Sequence, residues 1–266
     1  MTTAFQPNEL AFVDIASTNF PSIDGRELIN VNMMPFSPID MKQTLPIDCQ
    51  NYIPMIENCL DSQSTINKTM YLTIQESIVN QGETQRRSGL HIESPNLNHL
   101  DIISCWGGGW GGGNPRPRGW GRGRACWGWG GGNPRPRGWG KGRAFIEQDI
   151  VLQDGIYMAS NLQNSCKIWP YLIDKQSYVV DKYGGIEDIR NEIGEGQYMK
   201  NNNIYWLTDA TPHEAMPSEI QGEFLRQFFR LVVGEIAVWF SKHNTSNPTG
   251  YSPNAPIIDM NKFDYN

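Results

Sequence analysis

The stretch Ser88-Gly89-Leu90-His91-Ile92-Glu93-Ser94-Pro95 sets an imidazole and a carboxylate two residues apart, alternating with the apolar Leu90 and Ile92. Successive side chains on a β-strand point to opposite faces, so His91 and Glu93 are expected on one face. They supply two donors of a 2-His-1-carboxylate set, which leaves open positions on a non-haem Fe(II). The second histidine must come from elsewhere, and His213, in Pro212-His213-Glu214-Ala215-Met216-Pro217, is the candidate. Thirteen residues after it, Arg226 opens the strand-like run Arg226 to Val233. A guanidinium there could hold a carboxylate through a bidentate fork. Arg226 and Arg230 share a face of that run, so side-chain parity leaves both as anchors. His99-Leu100-Asp101 is a rival His-x-acid pair. It lies in an Asn-rich stretch and lacks a following proline, so His91 and Glu93 are preferred as first ligands.

In this order, His91-Ile92-Glu93-Ser94-Pro95, Pro212 to Pro217, and a strand opening on Arg226 with Val238-Trp239-Phe240 beyond it resemble the 2-oxoglutarate- and Fe(II)-dependent oxygenases, most nearly their prolyl-hydroxylase-like branch. The resemblance runs from roughly Tyr71 to Trp239, with a large interruption. It implies a mostly β fold with a double-stranded β-helix (jelly-roll) core. Iron would be held at its mouth by His91, Glu93 and His213, and 2-oxoglutarate would chelate the iron and be anchored by Arg226. The implied reaction is hydroxylation of a C–H bond, in a small molecule or a protein side chain, with release of succinate. Two departures stand out. Glu93 occupies the place where Asp is usual, and the interval from Met216 to Arg226 exceeds the family's usual turn, which keeps Arg230 in contention. Both the glutamate and the interruption lean toward the alternative, a non-catalytic jelly-roll protein that binds or builds, since fold alone does not determine function.

The elements that must position these residues are short and β-prone. Met70-Tyr71-Leu72-Thr73-Ile74, Asp154 to Ser160, Cys166-Lys167-Ile168-Trp169 and Ile204-Tyr205-Trp206-Leu207 read as strands, the last of them delivering His213. Ile186, Ile189 and Ile193 fall at helical spacing, and Gly194 and Gly196 would end a short helix. Residues 1–66 carry repeated prolines, which forbid a long helix, and read as an extension packing on the core. Arg86 and Arg87, just before the first ligand, read first as a solvated loop; the functional reading is that one of them guards an anionic ligand at the barrel mouth. Residues 67–243 form the expected core domain, and 244–266 a surface tail.

One segment stands apart. Gly111 to Ala125 and Gly130 to Ala144 are near-identical copies, differing only at Arg122 against Lys141. Glycine and proline at this density cannot build a core, so 106–144 reads as a long loop inserted between strands. It carries seven arginines, one lysine, no acid and six of the nine tryptophans. That composition suits self-association with an acidic surface, or contact with single-stranded nucleic acid. The chain as a whole has a net charge of −6, which ranks nucleic acid second. The five cysteines form no CxxC pair and argue against a disulfide framework. No signal sequence or apolar run of membrane-spanning length is evident, so a soluble, intracellular protein is expected.

Overall fold

The computed structural model describes residues 5–60, 68–93, 155–175 and 177–264, which belong to one compact unit. The protein is mostly β. In chain order the strands are β1 (Phe5–Pro7), β2 (Phe12–Ser17), β3 (Asn30–Phe36), β4 (Met70–Asn80), β5 (Ile156–Ser160), β6 (Cys166–Ile168), β7 (Tyr171–Ile173), β8 (Gln197–Tyr198), β9 (Asn203–Leu207), β10 (His213–Ala215), β11 (Glu223–Val232), β12 (Trp239–Phe240) and β13 (Ile257–Ile258). The helices α1 (Met41–Thr44) and α2 (Ile53–Cys59) are short. Helix α2 carries Pro54 in its first turn, where a missing amide costs nothing.

A six-stranded antiparallel sheet, in the order β2-β9-β5-β11-β4-β3, is the backbone of the molecule. Its two longest strands, β11 and β4, pair from Glu223↔Asn80 to Val232↔Tyr71. Strand parity divides the core in two. Leu72, Ile74, Tyr157, Ala159, Ile204, Trp206, Phe229 and Leu231 face α2 and the N-terminal segment. Tyr71, Ile156, Met158, Tyr205, Leu207, Phe228 and Val232 face the other way, toward Cys166 and Ile168 of a three-stranded sheet, β10-β6-β8. A third cluster, built from Leu90, Ile92, Trp169, Ile173, Val180, Ile186, Ile189 and Ile193, packs behind the short strands. Among the described residues these sheets remain open and close no barrel.

Several expectations change in detail. Strands β2 and β3, from the proline-dotted first 66 residues, are the two edge strands of the main sheet. The isoleucine-spaced stretch makes only a 3-10 turn, Glu187–Ile189, because its three isoleucines are satisfied by one buried cluster without a longer helix. His213 begins its own strand, β10, in the smaller sheet and does not continue β9. The tail is tied to the body: Thr245 N donates to Asn32 O (2.8 Å), Asn247 Nδ2 to Pro35 O (2.7 Å) and Thr44 O (2.6 Å), and β13 pairs with β12. Cys49, Cys59 and Cys166 are free and buried. No helix among the described residues is long and apolar enough to cross a membrane. His99, Asp101 and the repeat at 106–144 lie outside the described residues.

Candidate functional site

His91 and His213 meet through their backbones. His91 N donates to His213 O (3.1 Å) and His213 N to His91 O (2.9 Å), a reciprocal antiparallel pair. Residues opposed in this way present their side chains on the same face, and the two imidazole centroids stand 4.4 Å apart. His91 also bridges Gly185, so the segment around it extends the small sheet beyond β10. Glu93, two residues on, keeps the same face, and its Oε1 lies 3.4 Å from His213 Nε2. The three side chains singled out by type and spacing thus line one cavity, together with Arg86, Arg87, Met158, Ser165, Cys166, Ala215, Arg226, Phe228 and Arg230.

Both rings are oriented by a carbonyl two residues back: His91 Nδ1 lies 2.7 Å from Gly89 O, and His213 Nδ1 lies 3.0 Å from Thr211 O. A carbonyl only accepts, so each Nδ1 carries a proton, and Nε2 is the ring nitrogen left to face the cavity. Burial, then the neighbouring His213, pushes the His91 pKa down to about 3, so its ring is neutral at ordinary pH. A clamp behind the pair holds both halves. Arg190 makes a two-pronged bond to Glu214 (2.9 and 2.9 Å), next to His213, and also binds Glu187. Glu187 in turn accepts from Leu90 N (3.0 Å), next to His91.

The floor of the cavity is β11. Arg226, Phe228 and Arg230 alternate toward it, as the parity of the run requires. Arg230 Nη1 donates to Glu93 Oε1 at 2.7 Å, while its Nε is buried with no partner. Burial acts to raise the Glu93 pKa, but Arg230 and the two histidines outweigh it and hold the carboxyl well below its usual range. Arg226 is 1% exposed; its Nε donates to Ser160 Oγ (3.2 Å), and no carboxylate pairs with it among the described residues. Burial lowers its pKa to about 10, which still leaves it charged. The Cys166 thiol is pushed by burial up to about 12 and stays protonated.

Arg86 is partly buried and Arg87 exposed, and both line the cavity. Gln85 fixes them there, because its Nε2 bonds Ser77 Oγ (2.8 Å) on β4 and Arg226 O (3.1 Å) on β11. Arg86 lies over the Phe228 ring (5.1 Å) and donates to Gln75 Oε1 (3.2 Å). In the sequence only the closeness of this pair to His91 hinted at such a role. Among the described residues, no group of three or more His, Cys, Asp or Glu side chains is arranged to hold a metal ion. No family model, curated protein or solved structure matches the chain.

Proposed function

We propose that this protein is an Fe(II)- and 2-oxoglutarate-dependent oxygenase of the hydroxylase type, with the six- and three-stranded sheets as the two walls of a jelly-roll core. The observation that carries the reading is Arg226, a guanidinium 1% exposed and without a carboxylate partner among the described residues, in the cavity that His91, Glu93 and His213 also line. An unpaired buried charge is costly, and a bound anion relieves it.

The three side chains are of the types that hold iron, and metal binding requires them to close in from the arrangement seen, in which no group of three among the described residues is set to hold an ion. Each ring uses Nδ1 on a backbone carbonyl, which reserves Nε2 for a metal, and Glu93 Oε1 lies 3.4 Å from His213 Nε2. Iron would be held by His91, His213 and Glu93, with the carboxylate exchanging its Arg230 partner for the metal. When bound, iron and 2-oxoglutarate supply the oxidation of a C–H bond by O2, with succinate and carbon dioxide as co-products. Arg226 orients the cosubstrate's distal carboxylate, Met158 and Phe228 exclude water, and the Arg190 clamp keeps both rings in place.

Anaerobic titration with Mn(II) or Fe(II) and 2-oxoglutarate tests this. The wild type is expected to bind 2-oxoglutarate only with metal present and, once O2 is admitted to the iron-loaded protein, to release succinate. His213→Ala should lose both properties, and Arg226→Lys should weaken 2-oxoglutarate about tenfold or more, since a point charge does not reproduce the fork. Unchanged turnover in His213→Ala removes the reading. Loss of affinity in Arg230→Lys but not in Arg226→Lys moves the anchor to Arg230. A second reading, a non-catalytic anion-binding protein, draws on the Arg230–Glu93 pair, which already occupies the carboxylate. It predicts 2-oxoglutarate binding that is indifferent to metal.

A further inference from the structure

The cavity holds more positive charge than iron and 2-oxoglutarate need. Its lining includes Arg86, Arg87, Arg226 and Arg230, and Glu93 is the one carboxylate among the described lining residues. Lys262, from the tail, is outside the lining but within electrostatic reach of Glu93, Arg230, Arg87 and Arg86, and it adds a fifth cation near the cavity. An Fe(II) ion and a 2-oxoglutarate dianion cancel each other's formal charge. Glu93 offsets one cation, which leaves a surplus of four.

Three of these cations have no assigned work. Arg226 is committed to the cosubstrate and Arg230 to Glu93. Arg86, Arg87 and Lys262 are not within ion-pair distance of any carboxylate among the described residues. The polar contacts of the two arginines are neutral acceptors, Gln75 Oε1 for Arg86 (3.2 Å) and Tyr183 O for Arg87 (2.9 Å). Arg86 is further fixed over Phe228, and Arg87 is exposed, so the set runs from inside the cavity to solvent. His243 also feels Lys262, Arg86 and Arg230; burial lowers its pKa, so it adds no charge at neutral pH. Like charges gathered at one opening repel and are stabilised when an anion joins them. Planar guanidinium groups are shaped to bind oxyanions in pairs of bonds.

We propose that the substrate of this site carries an oxyanion, a carboxylate or a phosphate, and that Arg86 and Arg87, which line the cavity, bind it, with the charge of Lys262 adding to the attraction. The assignment of the anion to the substrate rests on the oxygenase reading; the anion site itself does not.

The experiment is calorimetric titration of the full chain with inorganic phosphate in one arm and acetate in the other, at saturating Mn(II) and 2-oxoglutarate and again without them. Binding in the loaded protein should weaken about tenfold in Arg87→Gln, an exposed position that leaves packing untouched, and similarly in Lys262→Gln. Arg226→Lys should instead weaken 2-oxoglutarate and spare the added anion. Tighter phosphate than acetate assigns a phosphorylated substrate; equal affinities assign a carboxylate. Anion binding that Arg87→Gln and Lys262→Gln both leave unchanged, or no binding at millimolar concentration, overturns the proposal. Anion binding through Arg87 in a protein that never takes up 2-oxoglutarate with metal preserves the anion site and refutes the oxygenase reading alone.

Discussion

Glu76 shows what a fully satisfied buried carboxylate requires. Arg26 Nη1 and Nη2 (2.6 and 2.6 Å), Ile29 N (2.8 Å), Tyr52 OH (2.7 Å) and Gln227 Nε2 (3.1 Å) all donate to its two oxygens. Burial acts to raise its pKa, but these donors, Arg26 foremost, outweigh it and hold the group below its usual 4.5. The folded-state pKa is therefore depressed. The unfolded chain binds the proton more readily, so the stability this group contributes is present above about pH 4.5 and is lost as pH falls through the folded value. Glu76→Gln should cost about 3 kcal/mol by urea titration at pH 7, because Arg26 is left without its partner, and the variant's stability should fall less steeply with acid than the wild type's. Equal acid slopes would assign the acid sensitivity elsewhere. This network contrasts with the cavity, where Arg226 and Arg86 have no such carboxylate among the described residues. The difference was not legible in the sequence, since an arginine's letter does not say whether an acid faces it. His91, Glu93 and His213 were legible, because few residue types donate to a metal and their spacing is set by the pleat.

Individual elements carry the geometry more than their lengths suggest. The His91–His213 pairing is a single bridge, outside any regular strand on the His91 side, and so it escaped a reading based on alternation. Main-sheet strands β4, β5, β9 and β11 were legible because runs of β-branched and aromatic residues mark them. The edge strand β3 was harder, since Pro35 and a bulge between Val31 and Met34 interrupt it. The start of β5 is fixed by Gly155, whose φ is +83°. A Cβ there would collide with the Leu207 carbonyl oxygen on β9, the strand that pairs Leu207 with Ile156. Gly155→Ala should therefore cost about 2 kcal/mol or more in thermal or denaturant unfolding. Gly155→Asn separates the two causes: asparagine tolerates positive φ but carries the same Cβ. If it restores wild-type stability, backbone strain and not the collision was limiting.

On the scale of the whole molecule, an acidic chain with a net charge of −6 encloses a strongly positive cavity. The last stretch of sequence contributes to that inversion. Its Asn- and Pro-rich composition read as a surface tail, because single hydrogen bonds to distant carbonyls leave no periodic signal. Two separable attachments hold it. Thr245 and Asn247 dock on β3 and the end of α1. Further on, β13 pairs with β12, Ser241 Oγ donates to Asp259 (2.7 Å), and Phe263 packs edge-on against Tyr183 and His243. Ending the chain at Pro253 keeps the first attachment and removes the second, together with Lys262. The six-stranded sheet and both histidines lie outside the deleted part, so the far-ultraviolet circular dichroism should be unchanged, with a loss of about 2 kcal/mol from the uncovered β12 edge. Metal-dependent 2-oxoglutarate binding should persist, since Arg226, His91, Glu93 and His213 all remain. Phosphate affinity should drop about tenfold, the effect of removing one charged donor. A truncated chain that binds phosphate as tightly as the full one would take Lys262 out of the anion site and leave the two arginines to bind it alone.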